Sequence, residues 1–456
     1  MLVIPIPRCY DRKNYDSAPV RKAPNPLTHA AYGNVPPAFA RRSCVTAEGR
    51  GAEKAKKEDN AMIRIAMIGC GDISGIYLKN LTNTFREVQL IGVCDLIPEK
   101  AKKAQDYVAG EIEKGAGVPL PKIYEKDVDA AADPDVDVIL NLTRPYQHYG
   151  VTKMALLAGK HVYSEKPLAV DMDEADELVS IAEERGLHLG GAPDTFMGAG
   201  IQTCRKLIDQ GFIGDVIGAN AAMICHGHET WHPDPQFYYQ RGGGPMLDMG
   251  PYYVTALVNL LGEAKALTGM TKKSFETRTI TSKPHYGEVV PVETDTYLAG
   301  NILFSNGAVA SIFTTFDVYY RKQAHFEIYG TEGTLVVPDP NTFGGPIYIY
   351  RPENDSFGPT SDPALRPSEM NPYPGFKEVP LMFDYKENSR GLGLADMCKA
   401  IETGRPWRAN YRQQHHVLEI MTGFSKASEG RGFYELKTRF ERVAPMKRNP
   451  MHGILD

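Results

Sequence analysis

The chain has 456 residues, 42% of them apolar and 23% charged, and a formal net charge of -5. That length suits two globular domains with appendages, and the acidic balance offers no basic footprint for nucleic acid or an anionic membrane. No apolar run is long enough to cross a bilayer, and seven scattered cysteines suit a reducing, cytoplasmic compartment rather than a disulfide framework.

Residues 1–61 read differently from the rest. They are rich in Pro, Arg, Lys and Ala, show no amphipathic period, and open on LVIPIP, broken by prolines. Arg41 and Arg42 form a twin-arginine pair, but Ser-Cys-Val-Thr-Ala-Glu-Gly follows where an export signal needs an apolar segment. Asp11, Asp16, Glu48 and Glu53 argue against a transit peptide. The expectation is a disordered leader, or translation from upstream of a true start at Met62.

From Met62 to residue 188 strands and helices alternate, which predicts a doubly wound parallel sheet. Ile65 to Ile68 is a continuous apolar run, as a strand covered on both faces requires, and it stops at Gly69-Cys70-Gly71. Gly69 permits a tight strand-to-helix turn. Gly71, lacking a Cβ, lets the backbone approach a pyrophosphate at the positive N-terminus of the next helix. Ser74 stands where a third glycine is usual, with Gly75 displaced by one. Val88 to Val93 forms the second strand and ends in Cys94-Asp95. Asp95 is placed to accept hydrogen bonds from an adenosine ribose, and its charge would repel a 2′-phosphate, favouring NAD over NADP. A strand follows from Val136 to Leu142, then a helix from Tyr149 to Ala158 closed by Gly159, and a strand from His161 to Ser164 running into Glu165-Lys166-Pro167. Asp171 or Asp173 can cap the next helix, Glu174 to Arg185, which Gly186 ends.

Residues 189–388 change texture. Val216 to His228, Tyr297 to Phe304 and Ala308 to Phe316 alternate or run apolar, and Asn306-Gly307 signals a hairpin. His325 to Val337 adds two short strands. The expectation is an α+β domain with an open, mostly antiparallel sheet. Tyr348 to Asn388, rich in Pro, Asn and Asp, crosses the surface. Helices over Gly391–Thr403 and Gln413–Glu429, within 389–434, are expected to pack back on the first domain, and 435–456 reads as a tail.

Five stretches carry a resemblance: GCGDIS at Gly69 to Ser74, AGKHVYSEKPLA at Ala158 to Ala169, GGGPMLDMGPYY at Gly242 to Tyr253, GTEGTL at Gly330 to Leu335, and RGLGLADM at Arg390 to Met397. From Met62 to about Glu429 the chain resembles the glucose-fructose oxidoreductase / inositol dehydrogenase / MocA (Gfo/Idh/MocA) family. The resemblance implies a nicotinamide-dependent oxidoreductase acting on a sugar, polyol or glycoside hydroxyl. The cofactor would be NAD, held by Gly69, Gly71, Asp72, Ile73, Asp95, Thr143, His148 and Glu165. Arg144 and Pro145 replace the family's usual Pro-Asn, which touches one nicotinamide-side contact. Tyr252 stands where most members have histidine, as in the glucose-fructose oxidoreductase branch. The family's habit and the apolar strands of the second sheet imply a homo-oligomer through that sheet.

The candidate chemistry centres on Lys166, at the carboxyl end of a parallel strand where open α/β sheets place their crevice. Beside a cationic nicotinamide its ammonium would be disfavoured, so a lowered pKa and acceptance of the substrate hydroxyl proton are expected. Asp248 and Tyr252, spaced i, i+4, would share a helix face, the helix starting close to Asp248 because of Pro251. By resemblance Asp248 orients the substrate and Tyr252 relays or donates the proton. His226, His228, Glu229 and His232 could be read as metal ligands, but they straddle a strand end and a Pro-rich loop, and no metal is assigned. His228 and His232 are expected on the substrate, with Trp231 either a stacking platform for a sugar ring or a packed core residue. Asp194 could also reach the substrate. The same constellation would serve an NAD-dependent glycosidase working by transient sugar oxidation. A non-catalytic NAD- or sugar-sensing regulator is the remaining alternative.

Overall fold

The structure is a computed structural model and describes residues 62–320, 325–352, 375–447 and 452–455. The expected leader lies outside the described residues. The alternation of short apolar strands with helices folds as β1 (Ile63–Ile68), α1 (Ser74–Asn83), β2 (Val88–Cys94), α2 (Pro98–Glu113), β3 (Lys122–Tyr124), α3 (Asp127–Ala132), β4 (Val138–Asn141), α4 (Pro145–Leu157), β5 (His161–Ser164), α5 (Met172–Arg185) and β6 (Leu189–Gly191). All six strands are parallel, in the order β3-β2-β1-β4-β5-β6. The order reverses between β1 and β4, so the carboxyl ends of β1, β4 and β5 open a crevice. The sheet runs to Gly191, three residues past the expected boundary. Helix α4 starts at Pro145 rather than Tyr149, because a proline in the first turn needs no amide hydrogen bond. Asp171 caps α5 by accepting from Glu174 N at 3.0 Å, and Gly186, with φ +63°, ends it.

Past α6 (Ala199–Asp209) the chain enters a second sheet. Its elements are β7 (Val216–Ile224), α7 (Gly244–Asp248), α8 (Gly250–Leu261), β8 (Ala264–Lys272), the separate hairpin β9 (Thr277–Thr279) and β10 (Val289–Pro291), then β11 (Tyr297–Phe304), β12 (Val309–Thr315), β13 (Phe326–Gly330), β14 (Thr334–Val336), β15 (Ile347–Tyr350), β16 (Lys377–Val379), α9 (Leu392–Thr403), α10 (Tyr411–Gly430) and β17 (Tyr434–Glu435). The nine strands lie in the order β16-β15-β14-β13-β7-β12-β11-β8-β17. Every pair is antiparallel except β7 with β12, so the sheet is mixed. Every residue of α8 is buried, and α10 packs on both α8 and β8. Ile217, Met270 and Val309 are 57%, 78% and 47% exposed, marking an open apolar face on β7, β8 and β12.

The last helices bridge both sheets. Gly191 N donates to Ala409 O at 3.1 Å, just ahead of α10, and α10 also meets α5 and β6. The described part of 435–456 is docked along the surface: Leu436 N donates to Lys265 O at 2.8 Å, Met446 N to Gln202 Oε1 at 2.8 Å and Leu455 N to Glu87 Oε2 at 2.9 Å. Backbone amides that find fixed acceptors give this segment an ordered path that its composition does not announce.

Candidate active site

The dinucleotide-side wall is the turn between β1 and α1. Gly69 has φ +99°, and a Cβ there would meet Leu142 O at 2.6 Å. We expect Gly69→Ala to combine left-handed strain with a backbone clash, costing about 2–4 kcal/mol of stability and nearly all NAD affinity; urea unfolding and a fluorescence titration with NADH would check both. At Gly71 a Cβ would meet nothing within 4 Å, so the space beside the turn is open. Helix α1 carries no side-chain cap. An uncapped helix N-terminus behind an open glycine is a cradle that fits a pyrophosphate. Asp72 is exposed and Ile73 half-buried at the same turn.

Asp95 lies at the end of β2, and both its oxygens are engaged. Oδ2 accepts from Cys70 N at 2.7 Å and Oδ1 from Ile97 N at 2.8 Å. The carboxylate therefore shapes the glycine turn, and any ribose contact would use the remaining lone pairs of a group already held in place.

The turn after β4 is pinned to the turn after β5. His148 is 1% exposed, and its Nδ1 and Nε2 lie 2.7 Å from Pro167 O and 3.0 Å from Thr143 O. Burial pushes its pKa down, although both carbonyls favour the charged ring. In the neutral form that burial favours, one ring nitrogen carries the proton and donates to one of these carbonyls, so His148, expected at the cofactor, sits buried between the two turns. Thr143 Oγ1 donates to Asn141 Oδ1 at 2.7 Å. Glu165 accepts from Tyr77 Oη at 2.8 Å and from Lys166 N at 3.1 Å, which fixes the backbone that carries the lysine.

Lys166 leaves the end of β5 and reaches the second domain. Its Nζ donates to Asp248 Oδ1 at 2.8 Å and to Asp248 O at 2.7 Å, and it lies 5.2 Å from the centroid of the Tyr252 ring. Both charged side chains are about 15% exposed or less. Burial disfavours the ammonium, yet Asp248, then Tyr252 and Glu165, outweigh it and push the pKa up. The expected lowering is therefore reversed in the protein by itself, because the carboxylate is in direct contact. Burial likewise disfavours the Asp248 carboxylate, but Lys166 and His228 hold it below the usual range.

Asp248 and Tyr252 do not share a helix face as expected. Asp248 is the last residue of α7, Met249 breaks the path, and α8 begins at Gly250 with Pro251 in its first turn. The break still leaves the carboxylate and the phenol on either side of the Lys166 ammonium.

His228 is joined to this group from behind. Its Nδ1 accepts from Trp231 Nε1 at 3.2 Å, so Nε2 carries the proton and donates to Asp248 Oδ2 at 3.1 Å. The expected substrate donor is thus spent on orienting Asp248. Trp231 is 61% exposed, which rules out the core-packing alternative. His232 Nδ1 accepts from Asp234 N at 3.0 Å, and its Nε2 lies 3.9 Å from Asp72 Oδ2 of the glycine turn. Glu229 turns inward instead, to Arg278 at 3.2 Å and to Tyr239 Oη, so the four groups weighed as metal ligands do not converge.

Asp194 is 1% exposed and caps α9: its Oδ2 accepts from Gly391 N at 2.9 Å and Gly393 N at 3.0 Å. Burial pushes its pKa up to about 6 against the pull of Gly393 N, Arg390 and Gly391 N. The expected substrate contact is corrected to a helix cap, since a buried carboxylate this close to free helix amides is claimed by them.

Two arginines that sequence reading left without a role border the site. Arg390, from the quoted RGLGLADM stretch, has its Cζ 5.9 Å from the Tyr252 ring centroid on a guanidinium anchored by Asn341 Oδ1 at 2.7 Å and Asn388 Oδ1 at 2.8 Å. Arg144, visible only as a departure from the family pattern, pairs with Asp234 and lies 4.3 Å over the Phe237 ring. That pair ties the 226–240 loop to the first domain.

A pair of family models matches this arrangement. "Oxidoreductase family, NAD-binding Rossmann fold" covers residues 63–190, and "GFO/IDH/MocA C-terminal domain" covers 201–336, together more than half of the chain. The chain belongs to the Gfo/Idh/MocA oxidoreductase family. Among its curated relatives, D-xylose dehydrogenase of Paenarthrobacter nicotinovorans is 27% identical over 60% of this chain and 74% of its own. D-glucoside 3-dehydrogenase of Escherichia coli (strain K12) is 28% identical over 58% and 72%. Among solved structures, levoglucosan dehydrogenase in complex with NADH and levoglucosan superposes with TM-score 0.66 at 19% identity, covering 82% of this chain and 99% of that one, a likeness of fold. For this Gfo/Idh/MocA protein, the two matched halves meet at the Lys166–Asp248 pair.

Proposed function

We propose that this protein is an NAD-dependent dehydrogenase of a sugar, polyol or glycoside hydroxyl, with Lys166, Asp248 and Tyr252 as its proton-handling group. The observation that carries the reading is the 2.8 Å Lys166–Asp248 pair. It joins the carboxyl edge of the nucleotide-binding sheet to the second domain, beside Tyr252. The relatives named for xylose and glucoside oxidation support a carbohydrate substrate.

Bound NAD supplies the hydride acceptor. The protein must take the hydroxyl proton. To take the alcohol proton Lys166 would first release its ammonium proton to solvent, with the Tyr252 hydroxyl passing one proton on as it receives one, and Asp248 would stabilise the ammonium that re-forms. The backbone carbonyl of Asp248 keeps Nζ aimed while its charge changes. His228 prevents the carboxylate from rotating away, and Glu165 holds the lysine backbone.

The test is carbohydrate-dependent reduction of NAD⁺ across a panel of sugars, polyols and glycosides, with NADP⁺ in parallel. No reduction with any of them would defeat the reading. Aglycone release without net NADH would replace it with the glycosidase.

The five described free cysteines support a cytoplasmic setting. The open face bearing Ile217, Met270 and Val309 supports a homo-oligomer paired through the second sheet. Light scattering should then give a multiple of 50.4 kDa, reduced to the monomer by Met270→Glu with Val309→Glu.

A further inference from the structure

Trp231 is fixed in place although it is 61% exposed. It follows His228 in a tight turn, with Trp231 N and His232 N donating to His228 O at 3.3 and 3.0 Å. The indole N–H is fixed on His228 Nδ1, and the His228 and His232 rings meet the indole at 81° and 74°, with centroids 5.3 and 5.4 Å away. Neither imidazole stacks on it. Arg144–Asp234 and the His232–Asp72 approach anchor the same loop to the first domain. An exposed tryptophan is unremarkable when it is free to move. One locked by a hydrogen bond to the group that orients Asp248 presents a rigid apolar plane at the surface beside that group.

We propose that Trp231 forms a second carbohydrate subsite that stacks the neighbouring ring or aglycone of a glycoside while the reacting ring lies at Lys166. The inference rests on the dehydrogenase reading above and narrows its substrate class. The reacting hydroxyl must come within hydrogen-bond reach of Lys166 or Tyr252. Trp231 is linked to Lys166 through the Asp248 carboxylate and the His228 imidazole, each bonded to the next, and stands at the far end of that chain from the ammonium. With the reacting ring assigned to the lysine, the indole is the platform left for its substituent. The C–H face of a pyranose or an aromatic aglycone matches the indole, and the hydroxyls stay in water.

The chain has two tryptophans. Trp407 is half-buried, with its Nε1 donating to Leu189 O at 3.2 Å, so ligand-dependent emission reports on Trp231. NAD⁺-saturated protein would be titrated with glucose, xylose, phenyl glucoside, phenyl xyloside and cellobiose, following tryptophan emission and, separately, thermal shift. We expect each glycoside to bind about five- to tenfold more tightly than its parent sugar. The advantage should vanish in Trp231→Ala and return in part in Trp231→Phe, which keeps an aromatic plane. Equal affinities, no binding by any glycoside, or an advantage that survives in Trp231→Ala would overturn the subsite. These readouts need no turnover. Glycoside-selective binding without NAD⁺ reduction would defeat the dehydrogenase reading and leave the subsite standing; reduction with parent sugars at unaltered affinity would do the reverse.

Discussion

Lys166→Met is expected to lower kcat/KM by about 10²–10⁴-fold, the usual range for loss of a positioned acid–base group, with NADH affinity close to that of the wild type. The reason is local. Among the described residues the ammonium's hydrogen bonds go to Asp248, and the glycine turn proposed to cradle the dinucleotide is built from other residues. Methionine keeps the length and apolar stem but cannot exchange a proton. The substitution also strands Asp248. With Lys166 gone, burial, already the largest single influence on this carboxylate, is opposed chiefly by His228. Its folded pKa should then rise above the unfolded value of about 3.9. A carboxyl raised in the folded state is stabilising only while protonated, so as pH climbs from about 4 to 7 the variant should lose more stability than the wild type, in which Asp194 is the carboxyl raised in this window and contributes equally to both proteins. The expected cost at neutral pH is about 3–5 kcal/mol, as for a buried ion pair broken from one side. Urea unfolding at both pH values, alongside steady-state kinetics, reads both effects; undiminished turnover would remove the lysine from the chemistry.

Asp248→Asn should move the pH dependence of oxidation. In the wild type Lys166 is held above its ordinary range and Asp248 below. The lysine's contribution to stability is therefore complete below about 10.4 and lost as pH rises through its folded pKa. The aspartate's is complete above about 3.9 and lost as pH falls through its own. Between those limits the pair stays ionised, and oxidation must draw the proton from an ammonium stabilised by contact. Asparagine removes the largest influence holding the lysine up and leaves burial, which pushes it down, against Tyr252 and Glu165. The rising limb of kcat/KM against pH should then shift to lower pH by about 1 unit or more, while kcat falls about 10²-fold as the amine loses the carboxylate that stabilises it on protonation. A rising limb at the wild-type pH would show that Asp248 does not set the protonation of Lys166.

Much of this was legible in local pattern. An apolar run ending in two glycines one residue apart dictates a strand, a left-handed turn and a helix, whatever packs around them, because φ +99° at Gly69 admits almost nothing else. Asp171 and Gly186 bracket α5 for similarly local reasons. The break between α7 and α8 was harder to read. The i, i+4 spacing of Asp248 and Tyr252 suits one helix, and Gly250-Pro251 allows either a late start or a second helix; only packing against the rest of the domain selects the second.

Side-chain roles divide the same way. Residue type and strand-end position marked Lys166 and Glu165, since a lysine following a parallel strand is delivered to the crevice by the backbone itself, while Asp248 and Tyr252 were marked by their i, i+4 spacing and by the family resemblance. Which partner each group finds is a matter of distances between segments far apart in the chain. His148 is consumed by Thr143 and Pro167, Asp194 by the amides ahead of α9, and His228 by Trp231 and Asp248. Sequence by itself therefore determined the family, the alternation that makes the first domain a doubly wound sheet, and the cofactor turn, and it marked the residues proposed to handle the proton. Tertiary structure alone decided that the lysine is held charged rather than neutral, because electrostatic effects depend on separation in space, and 2.8 Å between residues 166 and 248 is not written in either one.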